Sequence, residues 1–136
     1  MTNNNHRVPQ FSIGIDMELI DRFENVSLES HTRLLNRIFS ARELNYCFSK
    51  VNPAPCLCGC FCAKEAIIKA FSSLHHSRLS FPEIEIVHDG KSGPKVNIIG
   101  EKFTTDFLDN IEIKISIAHT AQVAVSNALV ILWCDR

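Results

Sequence analysis

Apolar and small or polar residues alternate along Phe11-Ser12-Ile13-Gly14-Ile15-Asp16, so the first predicted element is a strand that ends on a carboxylate. Leu34, Leu35, Ile38 and Phe39 fall on one side of a helix predicted over residues 34–39. Ser40-Ala41-Arg42-Glu43 has the capping-box pattern, in which the serine accepts from a free backbone N–H and the glutamate reaches back. It opens a second helix that runs to about Phe48, before the breaker Asn52-Pro53-Ala54-Pro55. A longer helix is predicted from Leu57 to Ser72, with Phe61, Ala66, Ile67, Ala70 and Phe71 as its apolar face. Residues 83–88 read as a strand, Asp89-Gly90 as a turn, and residues 94–99 as the returning strand. A short helix over 101–108 precedes two β-rich runs, 111–118 and 122–132, joined tightly at His119-Thr120-Ala121. Strands so close in sequence pair antiparallel, and their mixture with helices predicts an α+β domain: an antiparallel sheet with the long helix packed on it.

Length and charge narrow the picture. The chain has 136 residues, enough for one domain with its own core, and no internal repeat or low-complexity linker divides it. The domain is expected over residues 11–136, after a polar, disordered leader over 1–10 that lacks the apolar stretch of a secretory signal. A cytoplasmic protein is expected. The formal net charge of -1 gives no overall basic field for nucleic acid or an anionic membrane. No apolar run is long enough to span a bilayer.

Six cysteines are many for this length, and Cys56, Cys58, Cys60 and Cys62 alternate. Without a signal peptide, disulfides are not expected and the thiols should stay reduced. On a helix Cys58 and Cys62 share a face while Cys60 points away. The C-x-C spacing and the lack of a second pair argue for small buried hydrophobes ahead of a zinc site, which stays open as the lesser reading.

The chemistry centres on Phe61-Cys62-Ala63-Lys64-Glu65-Ala66-Ile67-Ile68-Lys69, in which Glu65 and Lys69 project from one helical face with Lys64 alongside. Asp16 at the end of the first strand and Ser116-Ile117-Ala118-His119 near the C-terminus complete the set. Singly, each has a plain structural reading: a solvated Glu-Lys pair, a turn-initiating aspartate, a strand-end histidine. As a set, two carboxylates, two lysines and a histidine suit a phosphoanhydride bound to a hard divalent cation. Magnesium takes few protein carboxylates and completes its shell with phosphate oxygens and water, while lysines offset charge on a leaving group.

The order strand-Gly-Ile-Asp, then Phe-x-x-Lys-Glu-x-x-x-Lys, then Ser-x-x-His resembles the 4'-phosphopantetheinyl transferases, and among them the short, single-domain holo-acyl-carrier-protein synthase type. The likeness is collinear over roughly Phe11 to Leu132 and takes in Arg37-Ile38-Phe39, Glu43-Leu44 and residues 81–86. It implies transfer of a 4'-phosphopantetheinyl group from coenzyme A to a serine of an acidic apo acyl carrier protein, with release of 3',5'-adenosine diphosphate. By the same resemblance Asp16 and Glu65 ligate Mg2+, with Mn2+ as alternative, and Lys69 and Lys64 contact the phosphates. His119, with Ser116, lies near the nucleotide. Arg22, Arg33 and Arg37 dock the carrier, and the active sites lie between subunits of a homotrimer. Two departures stand out: Ala118 where a second serine is usual, and Cys60 where many relatives carry an arginine. They keep open a carrier-binding relative without turnover, beside a cysteine-based zinc or thiol module. Either Glu65 or a metal-bound water is the base for the serine.

Overall fold

A computed structural model describes residues 6–74 and 77–135. The order of elements is β1 (Arg7–Leu19), a 3-10 turn (Ile20–Phe23), α1 (Thr32–Ile38), α2 (Ala41–Phe48), α3 (Ala54–Ser72), a second 3-10 turn (Phe81–Glu83), β2 (Ile84–Val87), β3 (Lys95–Ile98), α4 (Thr105–Asp109), β4 (Ile111–His119) and β5 (Val123–Asp135). The strands form two antiparallel sheets, β1-β5-β4 and the hairpin β2-β3. The expected α+β architecture is present, with the strands divided between two sheets.

β1 is longer than its alternation predicts because β5 pairs with it throughout, from Arg7 opposite Asp135 to Leu19 opposite Val123. Residues 7–10, expected in a disordered leader, therefore belong to the sheet, while residues 1–5 lie outside the described residues. α3 also starts earlier than predicted, inside the Asn-Pro-Ala-Pro segment. Proline costs little in a first helical turn, where its missing N–H would have no partner, and Asn52 Oδ1 accepts from Ala54 N at 3.2 Å. The capping box forms as expected: Ser40 Oγ accepts from Glu43 N, and Glu43 Oε1 from Ser40 N at 2.7 Å. Thr104 caps α4, which is shorter than predicted.

α3 lies across the three-stranded sheet and is buried on almost every side, through Leu57, Ala63, Ala66, Ile67, Ala70 and Phe71 among others. The face of β1 toward α3 carries Ser12, Gly14, Asp16 and Glu18 rather than its apolar residues. Small residues allow a very close approach. A Cβ placed on Gly14 would lie 2.1 Å from the Ala66 carbonyl oxygen, so helix and strand meet backbone to backbone there. Phe11, Ile13, Ile15, Met17 and Leu19 point the other way and are each more than half exposed. The sheet thus has an apolar face that its own chain leaves uncovered.

Candidate active site

The Gly14 contact sets the site. With Ala66 and Ala70 against Gly14, the turn of α3 carrying Glu65 and Lys69 runs along β1 beside Asp16. Asp16 Oδ1 accepts from Lys69 Nζ at 3.0 Å, and Lys69 Nζ also donates to the Ile15 carbonyl at 3.0 Å. The Asp16 side chain is 18 % exposed, so the ion pair is shielded on one side and open on the other. Asp16 also faces Cys62, whose thiol is pushed up by the Cys58 thiol, by burial and by this carboxylate. Glu65 is half-buried, and no hydrogen bond or ion pair among the described residues engages it. Asp16 and Glu65 sit on facing backbones, Glu65 without a donor among the described residues, and their carboxylates are hard oxygen donors of the kind a hard divalent cation takes.

Lys64 stands elsewhere. It is fully buried, 2.6 Å from Glu43 Oε1, and its Nζ donates to the carbonyls of Ile38 at 2.6 Å and Phe81 at 3.2 Å. Burial lowers its pKa against the pull of Glu43. The expected phosphate contact is therefore corrected to a structural role, since the residue before Glu65 turns about 100° around the helix, into the interior. Glu43 also accepts from Ile86 N at 2.7 Å. The sequence marked it only as a capping residue, and nothing local signalled the lysine it meets.

Ser116 and His119 are on opposite faces of the sheet. Ile117 packs against Gly59 of α3, so His119 shares the helix side of β4, while Ser116 and Ala118 lie on the outer face. Ser116 lines an outer concavity of about 750 Å3 with Ile13, Ile15, Lys114, Asn127 and Leu129. His119 is exposed, its Nδ1 3.0 Å from the Thr120 carbonyl, and it borders a cleft of about 470 Å3 shared with Tyr46, Lys50, Cys60 and His88. The Tyr46 and His88 rings stack in that cleft with centroids 4.2 Å apart, a pair 42 residues apart that no local pattern joins. Asp16 and His119 flank α3 from opposite sides, and one chain does not bring them together.

Of the arginines, Arg22 is bonded to Glu18 at 2.6 Å and stands over the Phe61 ring. Arg33 and Arg37 are exposed one helical turn apart on α1, beside the half-exposed Leu34, and no acidic group among the described residues pairs with them. Lys95 pairs with Asp89 at 3.4 Å in the hairpin turn. The cysteines also require a correction. Cys58 and Cys62 are buried against strand carbonyls, as small hydrophobes would be, but Cys47 and Cys56 form a disulfide with Cα atoms 5.3 Å apart. The prolines that open α3 turn Cys56 onto the last turn of α2, a contact that arguments from compartment do not address.

This α+β arrangement, with a carboxylate on the first strand and a Lys-Glu-x-x-x-Lys helix crossing it, has known counterparts. The sequence profile of the 4'-phosphopantetheinyl transferase superfamily matches residues 12–133, and the chain belongs to that superfamily. Its relatives place it with the holo-acyl-carrier-protein synthase type. It is 32% identical over 121 residues to the holo-[acyl-carrier-protein] synthase of Chlorobium limicola, covering 88% of this chain and 93% of the relative. It is 31% identical over 118 residues to that of Aquifex aeolicus, covering 87% and 96%. Among solved structures, the Helicobacter pylori holo-[acyl-carrier-protein] synthase in complex with coenzyme A superposes with a TM-score of 0.67 at 30% identity, covering 87% of this chain and 98% of that one.

Proposed function

We propose that the protein transfers the 4'-phosphopantetheinyl group of coenzyme A to a serine hydroxyl of an acidic apo acyl carrier protein and releases 3',5'-adenosine diphosphate. The observation that carries this reading is the Asp16–Lys69 pair at 3.0 Å beside Glu65, on backbones held together at Gly14. It is supported by the coenzyme A complex of the Helicobacter pylori relative and by the names of the curated relatives.

In the reaction the serine oxygen bonds to the β-phosphorus of coenzyme A, and the anhydride bond to the adenosine side breaks. Asp16 and Glu65 would hold Mg2+, which when bound neutralises the diphosphate as a Lewis acid. Lys69, half exposed at the edge of β1, supplies a cation for the charge that gathers on the leaving diphosphate. Arg33 and Arg37, without an acidic partner among the described residues, present positive charge to the acidic carrier.

The same reading accounts for the separation of Asp16 from His119. A second copy supplies the missing flank, so that the carboxylates of one subunit meet the histidine side of its neighbour, in a homotrimer. The uncovered stripe Phe11, Ile13, Ile15, Met17 and Leu19 supports this assembly, since a monomer rarely exposes so continuous an apolar strand. We place the activity in the cytoplasm, serving fatty acid synthesis.

Intact-mass spectrometry of an apo acyl carrier protein, incubated with this protein, coenzyme A and Mg2+, tests the proposal. A gain of one phosphopantetheinyl group, lost with EDTA or in Glu65→Ala, is expected. No gain with folded protein across several carriers would replace this reading with a carrier-binding relative that lacks turnover.

A further inference from the structure

Three cysteines outside the proposed site converge. Cys47 is in the last turn of α2, Cys56 in the first turn of α3, and Cys60 one helical turn beyond Cys56 on the same face. The three sulfurs all lie within 4.8 Å of one another. Cys60 differs from its neighbours in what it faces. Cys58 donates to the Glu18 and Leu19 carbonyls and Cys62 to that of Ala124, whereas Cys60 turns its sulfur to Cys47 and Cys56. Cys56 and Cys60 stand four residues apart on α3, a spacing within the range of zinc ligands, and the fold brings Cys47 to them from another helix. The cleft bordered by His88 and His119 reaches Cys56 and Cys60, which gives the cluster an entry path.

We propose that Cys47, Cys56 and Cys60, once the Cys47–Cys56 bond is reduced, form a three-thiolate site for a soft divalent cation of the zinc type, its fourth position open to this cleft. Zn–S bonds of about 2.3 Å in a tetrahedron place sulfurs about 3.8 Å apart, within the span found here. A dithiol of the thioredoxin class supplies two electrons and two protons to the disulfide and leaves as a disulfide itself. The cation then displaces one proton from each of the three thiols. The disulfide and the metal site are alternative states of the same sulfurs.

The test uses the full chain, reduced with a phosphine, stripped with a chelator and titrated anaerobically with Zn2+ against a chromophoric chelator. Co2+ serves as the spectroscopic stand-in. One cation per chain is expected, with the intense thiolate-to-cobalt absorption of a tetrahedral sulfur site. Cys60→Ser should weaken Zn2+ at least about tenfold, since loss of even an outer-shell group costs that much, while Cys47 and Cys56 still oxidise to a disulfide. Cys56→Ser, at the half-buried and more tolerant position, should weaken binding equally if Cys60→Ser fails to fold. Asp16→Asn should leave the stoichiometry at one, which separates this site from the proposed magnesium site. Binding well below one equivalent, absence of the sulfur bands, or unchanged affinity in both cysteine variants would overturn the proposal.

Discussion

Lys64 Nζ and Glu43 Oε1 meet at 2.6 Å in the interior, with neither side chain exposed. Their other bonds run to Ile38, Phe81, Ser40 and Ile86, so one ion pair ties the end of α1, the start of α2, the middle of α3 and the β2 hairpin. Lys64→Met leaves Glu43 buried without its cation. The expected loss is about 3–5 kcal/mol, read from urea denaturation. A loss under about 1 kcal/mol would show that the pair is not the joint it looks to be.

Gly14 is a second joint. In Gly14→Ala the new Cβ meets the Ala66 carbonyl and the Ala70 amide, neither of which can move without displacing α3 from β1. A cost of about 3 kcal/mol is expected, at the upper end of overpacking. Gly93→Ala, with nothing within 4 Å of the added carbon, is the control and should stay within about 0.5 kcal/mol. Equal melting temperatures for the two variants would refute the close contact.

What the sequence disclosed, and what it hid, follows from range. The capping box at Ser40, the helix over Leu57–Ser72 and the strand pair around Thr120 are specified by neighbours a few residues apart, and all are present. The α3 start lies before the predicted one because proline reads as a breaker unless its place in the first turn is known. Asp16 and Lys69, 53 residues apart, were linked through a family resemblance rather than by any local pattern. A lysine in Lys64's place, beside a glutamate of the site, reads as exposed; only its distant partner Glu43 makes burial tolerable. The Cys47–Cys56 bond and the Tyr46–His88 stack depend on how loops close, which periodicity does not encode.

Carrier docking should divide the arginines. Arg33→Glu and Arg37→Glu, which break no side-chain bond among the described residues, should together raise the carrier KM about tenfold, or about 1.4 kcal/mol, with the KM for coenzyme A unchanged. The parent KM should itself rise with salt. Arg22→Glu sets a carboxylate against Glu18 and uncovers Phe61, so its effect should include lost stability. If carrier KM is unmoved in the Arg33 and Arg37 variants, α1 is not the docking face.

Assembly can be tested on the exposed stripe. Ile13→Arg combined with Ile15→Arg changes two outward side chains and no internal contact of the described core. Light scattering should give three times 15.3 kDa for the parent and the single-chain mass for the variant, with the same far-UV circular dichroism. A variant that keeps the parent mass would place the interface elsewhere.

His88 gives the stability a pH dependence. Burial, and then the Lys50 cation, hold its pKa below the ordinary value of 6.5. The folded state thus binds the proton less readily than the unfolded chain. This contribution is fully present above about pH 6.5 and is lost as pH falls through the lowered folded-state value. His88→Phe keeps a ring against Tyr46 but cannot charge. Its melting temperature should fall less than that of the parent between pH 7 and pH 5.5, and parallel profiles would contradict the assignment.

The bare main-chain contact at Gly14 has a consequence for tolerance to change. With no side chain interposed, the spacing of the two backbones that carry Asp16 and Glu65 works like a caliper whose opening is set by atoms common to every residue. Repacking elsewhere on α3, even in a large sequence drift, leaves that opening alone. For the proposed Mg2+ site, the ordering of its two carboxylate-bearing backbones is thus completed when the chain folds, and little of it remains for the moment of binding.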